Sequence, residues 1–111
     1  MFTSHLSIAA ELVKAAKAGN NAAAASAEKL WYENADQIAA FLNDINPYWS
    51  AQEWQKVLYD HLAMTKNAAV YYLTRKYEDS IKEFDNIEQQ ALVMANMMTL
   101  GIVKQFSEYF M

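Results

Sequence analysis

The only two histidines of this chain mark a tandem repeat. His5-Leu6 and His61-Leu62 stand 56 residues apart. The same offset lays Trp31, Ala35, Ile38 and Leu42 over Ile87, Ala91, Met94 and Met98. Within each set the steps of three and four residues are those of one helix face. The chain therefore reads as two helical hairpins of similar design, each carrying one histidine.

Composition agrees with helices. Only two glycines and one proline occur in 111 residues, too little punctuation for many strands. Alanine, leucine, methionine, glutamate, lysine and glutamine are the residues helices prefer. With 54% hydrophobic residues the chain is too apolar to stay disordered, and its length suits one modest core.

The spacing predicts four helices. The first runs from about Thr3 to Ala18 on Leu6, Ile8, Leu12, Val13 and Ala16, and Gly19-Asn20 ends it. The second runs from about Asn21 to Asn43. Pro47 then disfavours helix at the residue before it, and Ser50 with Glu53 forms a capping box for the third helix. A break between Lys76 and Asp79 precedes the fourth, with no glycine or proline to mark it. The predicted fold is an all-α, four-helix up-down-up-down bundle in a single domain, 1–111. Hairpin 1 covers about 3–43 and hairpin 2 about 50–108.

Counting helical rises from the shared end places His5, His61, Glu33 or Asn34, and Glu88 or Gln90 near one level of this bundle. Two readings of that polar layer stand side by side. In one, the histidines simply pair with neighbouring polar groups, as buried polar residues usually do. In the other, the layer is a metal site for zinc, iron or manganese. Its ligands would be His5, His61 and Glu88, with Asn34, Asp36 or Asp60 in support. The Glu-x-x-His pattern of di-iron bundles is absent, since Phe2 and Leu58 occupy the glutamate positions.

Other chemistry is thin. No nucleotide-binding loop is present, because Gly19 and Gly101 stand alone. Ser4 and His5 are chain neighbours that point apart on a helix. A net charge of −4 argues against a nucleic-acid surface. The most apolar stretch, Ala91 to Val103, is too short to span a bilayer. No basic, apolar leader opens the chain, and cysteine is absent; a cytoplasmic setting is expected. Enzymatic activity is not expected.

Helix lengths carry the expectation about partners. Above the level of His5 the first helix has almost nothing left, whereas the other three continue. Ile38, Phe41, Leu42, Trp54, Val57 and Leu58 are then bare unless something covers them. The cover would be a second copy, the C-terminal Phe106–Phe110 segment folding back, or a separate chain. A homodimer is the commonest solution.

The segments HLSIAAELVKAAKAG, EKLWYENADQIAAFLNDINPYWSAQEW, LYDHLAMTK and IVKQF resemble a family of small bacterial all-helical proteins of unassigned activity. The resemblance covers nearly the whole chain. It implies members longer at the N-terminus, with a further helical stretch carrying another histidine. It also implies glutamate before each histidine, where this chain has Ser4 and Asp60, and aspartate in the last helix, where it has Asn96. Were the family metal-binding, these departures would weaken the site here. Some members carry an acetylglutamate kinase label, for which this sequence has neither the length nor the phosphate loop.

Overall fold

The computed structural model describes residues 1–109; Phe110, at the end of the segment expected to fold back, lies outside them. The chain forms four helices in up-down-up-down order: α1 (Phe2–Lys17), α2 (Asn21–Ile45), α3 (Ala51–Leu73) and α4 (Tyr77–Gln105). A short 3-10 turn follows at Ser107–Tyr109. The fold is all-α, as expected.

The repeat extends to the turns. Lys17 and Leu73 end α1 and α3, and Asn21 and Tyr77 open α2 and α4, so the two connections fall at equivalent positions. Gly19, at φ 72°, is matched by Arg75, at φ 63°. The hydrogen bonds match too. Gly19 N bonds Ala16 O and Asn20 N bonds Ala15 O, while Arg75 N bonds Tyr72 O and Lys76 N bonds Tyr71 O. Both are Schellman caps, which need one residue in the left-handed region. Arginine adopts it at Arg75 although glycine suits it better.

The longer connection follows from Pro47. Helix α2 stops at Ile45, and Asn46 takes an extended conformation, φ −150° and ψ 109°. Such a backbone is what a proline imposes nearby. Asn43 Nδ2 donates to Trp49 O at 2.8 Å and Asn46 Oδ1 accepts from Tyr48 N at 3.0 Å, which closes the loop. Ser50 Oγ then accepts from Glu53 N at 3.3 Å and starts α3.

Helix α1 pairs with α2 and α3 with α4, and α2 against α3 joins the hairpins. Among the described residues the α4 backbone approaches neither α1 nor α2. The molecule is correspondingly long and flat, 53 × 28 × 19 Å, with a radius of gyration of 16.0 Å. A compact chain of this length would measure about 13 Å.

The core lies where α2 meets both neighbours: Leu12, Ala27, Trp31, Ala35, Ile38, Ala39, Leu42, Trp49, Trp54, Leu58 and Leu62. This corrects the expected bare end. Ile38, Leu42, Trp54 and Leu58 are buried within the chain; Val57 is half-buried, and of the six only Phe41 is exposed. The cover comes from the α2–α3 loop and from α4. Trp49 lies against Trp54, rings 6.3 Å apart and nearly perpendicular, and Met94 and Met97 pack on the cluster. Trp49 reaches this place by crossing α4 at Gly101, where its Nε1 donates to Met98 O at 3.3 Å. Phe106 and Tyr109 stay exposed, so the described part of the C-terminal segment is not the cover.

Candidate functional site

Each hairpin holds its histidine in the same clasp. His5 Nδ1 lies 2.7 Å from Asn34 Oδ1, and Asn34 Nδ2 donates to Met1 O at 3.0 Å. In the second hairpin His61 Nδ1 lies 3.0 Å from Gln90 Oε1, and Gln90 Nε2 donates to Val57 O. In both, the amide sits on the second helix of its hairpin and bridges the histidine to the carbonyl four residues before it. Because the amide N–H group is held by that carbonyl, its oxygen faces the ring. Nδ1 therefore donates to the amide oxygen in both histidines. Asn34 is buried and Gln90 half-buried, so each clasp satisfies polar groups that water does not fully reach.

The expected metal ligands do not converge. Among the described residues no three histidine, aspartate or glutamate side chains come together as a metal group. Glu88 is exposed; it lies two residues from the inward Gln90, which on a helix is the far side. Asp60 is exposed and pairs with Lys56 at 3.4 Å on its own helix. Asp36 is taken by α3: it accepts from Tyr59 Oη at 2.7 Å and from Gln55 Nε2 at 2.8 Å. The layer expected from the sequence thus resolves into two separate His–amide pairs. Asn34 joins His5, while Asp36 ties α2 to α3.

The α2–α3 junction is the other polar assembly. Beside Asp36, Tyr32 and Tyr59 meet edge to face with centroids 4.8 Å apart. Further along, Lys66 Nζ and Glu28 Oε2 form an ion pair at 2.8 Å. The hydrogen bond to Asp36 raises the Tyr59 pKa above its ordinary value of 10.0, with burial adding to it. Burial raises that of Tyr32, and the Glu28 carboxylate adds to it. The Glu28–Lys66 pair rims an apolar groove between α1, α2 and α3, lined by Leu12, Val13, Trp31 and Val70. Sequence reasoning did not find this junction; its only signal is that Glu28, Tyr32 and Asp36 recur at steps of four.

The surface carries the remaining information. Phe2, Leu6 and Val13 on α1 are exposed, and so are Ile81, Phe84, Leu92 and Val93 on α4. No helix among the described residues is long and apolar enough to cross a membrane. Compared with protein-family models, curated proteins and solved structures, the chain gives no match.

Proposed function

We propose that this chain is a non-enzymatic structural module that works by self-association, as a homodimer in the cytoplasm. One observation carries the reading: large apolar side chains line the outer faces of α1 and α4, the two helices at the ends of the helix order. Faces of that kind on a soluble protein mark association surfaces. The polar groups support it. Both histidines hold amides and Asp36 holds a tyrosine, so these groups serve packing rather than a shared reaction centre.

Size-exclusion chromatography with light scattering on the untagged protein tests the proposal, with elemental analysis of the same peak. The expected result is a metal-free particle of about twice the 12.7 kDa chain mass. A 12.7 kDa particle would overturn self-association. Stoichiometric zinc, iron or manganese would favour the metal-binding reading of His5 and His61 instead.

A further inference from the structure

The repeat relates the bare faces to a contact inside the chain. Within the chain, hairpin 1 joins hairpin 2 by laying the second helix of one, α2, on the first helix of the next, α3. Each of these faces has a copy elsewhere at the 56-residue offset. The copy of the α2 face is on α4, and the copy of the α3 face is on α1. Neither copy is covered.

The contrast is residue by residue. On α3, Leu58 and Leu62 are buried; their counterparts on α1, Phe2 and Leu6, are exposed, Leu6 at 72% against 0% for Leu62. On α2, Ala35, Ala39 and Leu42 are buried; Ala91, Ala95 and Met98 on α4 are exposed. The chemistry of the outer faces is also more apolar than that of the inner junction. Where α2 has Glu28 and Asp36, α4 has Phe84 and Leu92, each 61% exposed. Where α3 has Lys66, α1 has Ala10. A face meant for water would carry the charges on the outside, and this pair does the reverse.

We infer that α4 of one molecule docks on α1 of a second copy in the arrangement that α2 adopts on α3. The contact is head-to-tail: two different faces meet, not one face with itself, so the dimer is its first step and leaves one α1 face and one α4 face open to further copies. It continues the stacking already present inside the chain, in which each hairpin needs a neighbour to bury its outer stripe. This inference rests on the self-association reading and adds to it the surface and the register.

The register gives the test. Tyr32 and Tyr59 face each other across the inner junction, with rings 4.8 Å apart. Their counterparts are Glu88 on α4 and Thr3 on α1, both exposed and neither an apolar anchor. The chain has no cysteine, so Thr3→Cys and Glu88→Cys each introduce a single reactive site. The two variants are mixed in equal amounts and treated with a short bismaleimide, after circular dichroism has shown that each is folded. Covalent dimer is expected several-fold above that from either variant alone. Glu88→Cys linking to itself as well as it links to Thr3→Cys would overturn the inference in favour of a symmetric α4–α4 contact. No specific cross-link from a protein that light scattering shows to be dimeric would overturn the register and leave self-association standing. A monomer by light scattering would remove both. As a second readout, Leu6→Glu and Leu92→Glu should each weaken the dimer at least tenfold. A wild-type dimer constant in both variants would contradict the proposed surface.

Discussion

Replacing Gly101 by alanine sets two well-known effects against each other at one atom. In the interior of a helix alanine is favoured over glycine by about 1 kcal/mol. At Gly101, however, a Cβ would lie 2.0 Å from Nε1 and 2.2 Å from Cδ1 of Trp49. Comfortable contact needs about 3.5 Å, so the indole must retreat by more than an ångström. The ring is buried, packed on Trp54, and tethered to Met98 O, so it has little room to do so. Overpacking of this kind costs about 1–3 kcal/mol, and losing the indole hydrogen bond about 1 kcal/mol more. Gly101→Ala should therefore destabilise the protein by about 1–3 kcal/mol after the helix gain is subtracted. Urea unfolding followed by circular dichroism, at one fixed protein concentration, measures it. The same substitution in a Trp49→Ala background should change sign and stabilise by about 1 kcal/mol, because the obstruction is gone. A Gly101→Ala protein more stable than the parent would refute the packing of Trp49 across α4.

Further outcomes follow from the repeat and the junction. The two Schellman caps should respond in opposite directions: Arg75→Gly should stabilise by about 0.5–1 kcal/mol and Gly19→Ala should destabilise by about 1 kcal/mol, both read from urea midpoints. Asn34→Ala leaves the His5 ring without its partner and takes from the Met1 carbonyl one of its two donors, the His5 backbone N–H remaining, and should cost about 1–3 kcal/mol; Gln90→Ala, at a half-buried site, should cost less. The raised pKa values of Tyr59 and Tyr32 mean that the folded state favours the protonated phenols. The unfolded chain ionises them first, so stability should hold below pH 10 and fall as pH rises above it. Tyr59→Phe should make that fall shallower in a pH series of urea midpoints.

Much of the architecture was legible because it rests on local signals. Gly19-Asn20, Pro47 and Ser50 each act on their own stretch of backbone, and the structure places helix ends beside all of them. The turn at Arg75 was harder to place. Its left-handed residue is an arginine, held there by the hydrogen bonds of the cap. The repeat itself predicts the position, since Gly19 lies at the matching offset.

The polar layer was half legible. Helix rise put Asn34 and Gln90 at the level of the histidines, and both are the true partners. Rise does not say which side of α4 faces α3, so Glu88 was expected inward where Gln90 lies. That choice depends on the tilt of one helix against another, which is set by the whole contact. The bare end was misplaced for a related reason. Counting lengths cannot foresee that Trp49 would cross at Gly101 and close the end from the loop. The exposed stripes lie instead along the sides of α1 and α4.

The central claim is that those two side faces meet between copies. Sedimentation velocity over a range of concentrations, comparing the parent chain with Leu92→Glu, tests it most directly. The account predicts a parent that shifts from 12.7 kDa to about twice that mass and then to larger species as concentration rises, and a variant that stays at 12.7 kDa throughout. A parent that remains at 12.7 kDa at every concentration would contradict it.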